Sequence, residues 1–318
     1  MIGLTMIWAL SVATADSPSG VVALAVDPTE ATIQGPEGRV QLVVSGVDGA
    51  GVSRDLTHDP GLVYAPDDPK TLGVTPIGEV WPVGDGRAKI RVWFQGLEAR
   101  VVVRTAGVQN PTPVDFATQV VPVLTRLGCN AGACHGKAAG QNGFRLSLLG
   151  SDPALDFESI TRDARGRRIS LAAPGSSLIL RKPAAAVPHG GGRKLMIGSP
   201  EYQTLRRWLA SGADASPRIA SDESRVTLRL HPPAGRLYAG HTQQLRVVAR
   251  RGSWPEFDVT RLTRFAGVTP DLALVDAGGR VRAAGGVGEA AVTASYAGET
   301  AVARFTVAAP ATAGPPRQ

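Results

Sequence analysis

Residues 86–96 (GRAKIRVWFQG) return as residues 288–298 (GEAAVTASYAG), and this repetition limits the fold more than any other feature of the chain. Two shorter matches keep step with it. Asp55, Leu56 and Thr57 correspond to Asp258, Val259 and Thr260; Gly78, Glu79 and Val80 correspond to Gly279, Arg280 and Val281; the offset stays near 202 residues. One module is therefore present twice, over residues 21–106 and 222–308. Both copies alternate apolar and polar residues. The first shows Val40, Leu42 and Val44, then Ala88, Ile90, Val92 and Phe94. The second shows Val226, Leu228 and Leu230, then Leu245, Val247 and Ala249. A period of two is the mark of half-buried strands, and Asp48-Gly49 and Gly84-Asp85-Gly86 signal the turns between them. About seven short strands fit each copy, which suggests an immunoglobulin-like sandwich.

Residues 112–214 change character. Phe116, Val120, Val123, Leu124 and Leu127 fall on one stripe of a helix over residues 115–127, bent or restarted at Pro122. Near the other end, Ser199 is placed as an N-cap, Pro200 as the first helical residue and Glu201 as an acid in the first turn. Tyr202, Leu205, Trp208 and Leu209 would form the buried face, Arg206 and Arg207 the wet one, and Gly212 the stop. Between these helices lie the only two cysteines, Cys129 and Cys134, with His135 directly after the second. Two thiols followed by an imidazole suit covalent haem attachment, the thiols forming thioethers and the histidine resting under the iron. The usual spacing is C-x-x-C-H, whereas here four small or polar residues intervene. The pair has two other uses. A disulfide would close a short loop and stabilise the fold by about 2 kcal/mol. A zinc site would need four ligands, and no second cysteine pair supplies them.

Each outer module resembles the bacterial Ig-like domains of group 2, where chemistry is not expected and a spacer or binding role is. Residues 112–214 resemble the planctomycete-type cytochrome c module. The residues that carry this resemblance are 127–136 (LGCNAGACHG), 142–148 (NGFRLSL), 187–192 (VPHGGG), and Ser199, Pro200, Glu201, Tyr202, Leu205 and Trp208. The resemblance implies one haem c bound through Cys129 and Cys134, with His135 as proximal iron ligand. His189 is the expected distal ligand, Met196 its alternative, and an open iron position the third arrangement. It also implies that the chain can be the N-terminal part of a larger protein with further domains.

Residues 2–15 are apolar or small and uncharged, and end in Ala13, Thr14 and Ala15 before Asp16. This reads as a signal peptide over residues 1–15, too short to cross a membrane. An exported product, periplasmic or on the cell surface, follows, with no integral membrane segment after cleavage. Residues 309–318 read as a flexible tail. The formal net charge is +7, and Arg162, Arg165, Arg167 and Arg168 are the densest basic cluster. No aromatics are interleaved there, so nucleic acid is not an expected partner. The cluster reads as a solvated face, or as a patch that steers an acidic redox partner. No G-x-S-x-G, H-E-x-x-H or phosphate-binding glycine loop occurs.

The expected fold is thus multidomain α+β, with two all-β sandwiches flanking a mostly α, cytochrome c-like domain. The expected function is electron transfer to an unidentified redox partner protein, by a carrier more than by an enzyme. The alternatives are a structural or adhesive surface protein with a Cys129–Cys134 disulfide, and a haem oxidoreductase with an open iron.

Overall fold

The computed structural model describes residues 20–215 and 226–309. The leader assigned to residues 1–15 and the tail after residue 309 lie outside the described residues, as do residues 222–225.

The first module folds as three small sheets around one core. β1 (Val21–Asp27), β4 (Val43–Asp48) and β5 (Ser53–Asp55) form one sheet. β2 (Glu30–Gln34), β10 (Leu97–Ala106), β9 (Gly86–Phe94) and β6 (Val63–Pro66) lie side by side in the second. β3 (Val40–Gln41), β8 (Glu79–Pro82) and β7 (Leu72–Val74) make the third. Alternate residues of β9, namely Ala88, Ile90, Val92 and Phe94, point inward with Val101 and Val103 of β10. A tight turn at Gln95 and Gly96, both at positive φ, sets the register of that hairpin.

The second module repeats this plan strand for strand. Its sheets are β11 (Val226–His231), β14 (Arg246–Arg251) and β15 (Phe257–Asp258); β12 (Ala234–Tyr238), β20 (Glu299–Ala308), β19 (Gly288–Tyr296) and β16 (Arg264–Gly267); and β13 (Thr242–Gln244), β18 (Arg280–Ala283) and β17 (Ala273–Val275). Ala297 and Gly298 take the place of Gln95 and Gly96, again at positive φ.

The central segment is not the mostly α domain expected from the sequence. Twenty strands in six sheets, all in the two outer modules, dominate the described residues. Against them stand four α-helices: α1 (Val121–Arg126), α2 (Pro153–Thr161), α3 (Leu178–Arg181) and α4 (Pro200–Ala210). The apolar stripe over residues 115–127 does not become one helix. It enters as a π turn, Phe116–Val120, and resumes as the six-residue α1, with Pro122 in the first turn, where its missing N–H costs nothing. Most of the segment between α1 and α4 is turns and loops. Phe116, Val120, Leu124, Ile160, Leu205 and Trp208 nevertheless pack into a core, in which the Phe116 ring lies 5.2 Å from those of Trp208 and Phe157. No helix among the described residues is long and apolar enough to cross a membrane.

Polar contacts bind the three segments together. Arg261, between β15 and β16, donates to Glu79 of β8 at 3.1 Å and to Glu201 of α4 at 2.9 Å. Arg207 of α4 reaches Glu37 at 2.6 Å, and Arg251 of β14 reaches Asp115 at 3.3 Å. The Tyr296 hydroxyl donates to Thr118 O at 2.7 Å, and Arg246 grips Asp27 through two bonds of 2.9 and 3.0 Å.

Candidate functional site

The end of α1 places Cys129. Leu127 caps the helix and Gly128 follows at φ +75°, so that Cys129 N–H donates to Leu124 O (2.9 Å) and Gly128 N–H to Thr125 O (3.0 Å). This is the paired closure in which a left-handed residue satisfies the last helical carbonyls, and glycine takes that conformation without strain. The loop then folds back on itself. Cys134 N–H donates to Ala131 O at 2.9 Å, and His135 N–H to Cys129 O at 3.0 Å. Asn130 is fully buried in the middle, its amide on Thr125 Oγ1 at 2.8 Å. Gly136 passes so near this residue that a Cβ would stand 2.0 Å from Asn130 O.

The His135 ring lies 4.5 Å from that of Phe144, and its Nδ1 is 3.0 Å from Phe144 O. Burial pulls the imidazole pKa below its usual range, which favours the neutral ring. Arg168 covers the Phe144 ring at 4.5 Å and is itself buried. Its guanidinium donates to Ser159 O (2.7 Å), Asp163 O (3.0 Å) and Gly143 O (2.9 Å), so carbonyl dipoles, with the Asp163 carboxylate nearby, compensate the charge. Cys129 touches the apolar core on one side and a cavity on the other. Burial, with the neighbouring Cys134 second, pushes its thiol up to about 12, so it is a poor nucleophile at neutral pH.

Four of the residues singled out by sequence meet in one place. Cys129, Cys134, His135 and His189 all line a cavity of about 350 Å³. Leu124, Phe144 and Ile179 supply apolar wall, Arg167, Lys182 and Lys194 line it as well, and no carboxylate does. Its size lies within the range of small-molecule sites. Met196 is not part of it; the side chain is 67% exposed beside an equally exposed Ile197. His189 Nδ1 is occupied within its own turn by Gly192 O at 2.9 Å. The arginine cluster divides: Arg162 pairs in solvent with Glu158, Arg167 lies on the cavity wall, and Arg168 is an internal strut.

The comparisons stand apart from this geometry. No family model matches the chain, and no curated protein matches it. Domains 5–6 of the S-layer protein SbsC are similar at 11% identity and TM-score 0.34, over 91% of this chain and 98% of that one. A longer SbsC crystal structure gives 11% identity and TM-score 0.24, over 91% of this chain but 28% of that one. The chain thus spans under a third of that protein fragment. Human protocadherin-24 EC1-2 gives 10% identity and TM-score 0.18, over 92% and 100%. At these scores the likenesses carry no functional argument.

The cytochrome c reading is overturned. The module it requires is absent, since short helices and closed turns stand where a packed helical socket was expected. Haem binding, iron and electron transfer go with it. Among the described residues, no three His, Cys, Asp or Glu side chains are grouped to hold a metal ion. Backbone hydrogen bonds close residues 128–136, with Cys129, Cys134 and His135 among them, into a turn. Sequence reasoning also missed the joint between the modules. His58 has its Nε2 2.7 Å from Gln244 Oε1 across that joint. A signal existed, because Asp55 and Asp258, both at the joint, occupy matching places in the repeat.

Proposed function

We propose that this chain is an exported, non-enzymatic surface protein of structural or adhesive kind. Two β-sandwiches are held by the central segment as one stiff unit. The observation that carries this reading is Arg261, whose single guanidinium, in the second sandwich, is bonded to the first through Glu79 and to the central segment through Glu201. Modules that act as independent beads need no such shared partner; modules that must keep a fixed relation do. Partly buried ion pairs of this sort contribute geometry more than net stability. The apolar start of the sequence supports export.

In an oxidising compartment, Cys129 and Cys134 would close a disulfide. Cys134 forms a mixed disulfide with a donor protein, expelling one donor sulfur; Cys129, whose buried thiol makes this the slow step, then displaces the other, and the donor leaves as its dithiol. Surface protease treatment of intact cells and an absorption spectrum of the exported protein test the reading together. The protein should be cleaved from the outside, lack a Soret band, and have an intact mass short of the free-thiol chain by two hydrogens. A pigment that stays with the denatured polypeptide would overturn it.

A further inference from the structure

Cations gather beside the cysteine turn without acids to match them. Arg167, Lys182 and Lys194 line the cavity of about 350 Å³, and among the described residues none of the three is in an ion pair with a carboxylate. Arginines elsewhere in the chain behave otherwise: Arg207 reaches Glu37, Arg246 reaches Asp27, and Arg261 holds both Glu79 and Glu201. Charges of one sign around a concave surface with low-dielectric walls add their potentials, so the cavity attracts anions.

Backbone bonds hold two of these cations in place. Lys182 and Pro183 follow directly on α3, and Pro183 O accepts from Lys194 N–H at 2.7 Å and from Leu195 N–H at 3.0 Å. This clasp sets Lys194 close to Lys182 although the His189 loop separates them in sequence, and Leu195, buried in the middle core, anchors it. Lys182 Nζ has only the Pro188 carbonyl, at 3.4 Å, which leaves its charge uncompensated. The wall between the cations is apolar: Phe144 and Leu178 are half-buried on it, and Leu124 and Ile179 are buried.

We propose that this cavity binds a small organic anion, its apolar body against Phe144, Leu178 and Ile179 and its one carboxylate or sulfonate held by Lys182 and Lys194. Neither simpler occupant satisfies the whole wall. An inorganic anion would answer the cations and leave the apolar surface wet. A neutral hydrocarbon would cover that surface and bring no counter-charge. The site goes beyond the structural role proposed above and does not depend on the sandwiches being coupled.

The test is titration of the full chain with anilinonaphthalene sulfonate, read by its fluorescence and, for stoichiometry, by calorimetry. Phenylnaphthylamine, the same rings without the sulfonate, is the neutral control, and inorganic sulfate the ionic one. One sulfonate probe per chain is expected, the neutral probe binding about tenfold more weakly, and sulfate failing to displace either at matched ionic strength. Lys182→Gln with Lys194→Gln should weaken the sulfonate probe about tenfold, as two exposed charge contacts are lost, and leave the neutral probe unchanged. Ala133→Trp, which puts an indole at an exposed position on the cavity wall, should abolish binding of both. Should a variant not fold, the comparison of the two probes on the wild-type chain decides alone. Equal affinity for charged and neutral probes, several probes per chain, displacement by sulfate, or unchanged binding in Ala133→Trp would each overturn the inference.

Discussion

Gly136 and Gly128 flank the same loop and constrain it by different means. At Gly136 a methyl group would run into the Asn130 carbonyl at 2.0 Å, a backbone atom that the buried Asn130 side chain holds in place. At Gly128 the space is open and only the left-handed φ of +75° matters. Gly136→Ala should therefore cost about 3 kcal/mol, an overpacking penalty, and Gly128→Ala about 1 kcal/mol, the cost of the backbone conformation. Denaturant midpoints on the two variants check the order; equal losses would mean that the Asn130 contact yields easily. The same loop explains where local sequence reading fails. Two thiols and an imidazole over seven residues fit haem chemistry, and they equally fit a turn closed by its own backbone hydrogen bonds.

α4 shows an element whose start, stop and apolar face are written locally, although Arg207, read as wet, is half-buried against Glu37, and Glu201 and Thr204 are buried too. Ser199 accepts from Tyr202 N–H at 3.2 Å, Pro200 opens the helix, and Gly212 at φ +108° closes it. Ser199→Ala should cost about 1 kcal/mol, whereas Trp208→Ala, which empties the centre of the middle core, should cost about 4 kcal/mol. Thermal melts of both variants test this, and a Trp208 loss no larger than the cap loss would contradict the packing described. The strands of the two hairpins are legible for a similar reason, since one buried face imposes its alternation on Ala88, Ile90, Val92 and Phe94 and on Ala290, Val292, Ala294 and Tyr296. The segment between α1 and α4 is not. Its turns are fixed by contacts distant in sequence, such as Arg168 to Gly143 O, and no local period announces them.

Charge is distributed unevenly over the whole chain, and the joint uses the difference. Residues 1–111 hold twelve Asp and Glu against eight Lys and Arg, while residues 215–318 hold eight against thirteen. Asp27 and Glu79 of the first sandwich are spent on Arg246 and Arg261 of the second, and Glu37 on Arg207 of the central segment. Such complementarity favours one arrangement of the parts over others. Arg261 is the decisive case, because removing it leaves Glu79 and Glu201, at 20% and 8% side-chain exposure, with only their longer pairs to Arg39 at 3.7 Å and Arg126 at 3.8 Å. A fully buried pair would lose 3–5 kcal/mol on such a change; with Arg261 itself 29% exposed, solvent screening reduces the expected loss in Arg261→Gln to about 2 kcal/mol. The more telling result lies in cooperativity. Wild-type protein is expected to unfold in a single transition, and Arg261→Gln in two, as the sandwiches melt separately. Adding Glu79→Gln and Glu201→Gln should deepen the loss, since Arg39 and Arg126 would then lose their carboxylates as well. Calorimetry on the single and triple variants distinguishes these outcomes, and a single unchanged transition in Arg261→Gln would show that the other contacts, Arg246–Asp27 and Arg251–Asp115 among them, join the three segments without it.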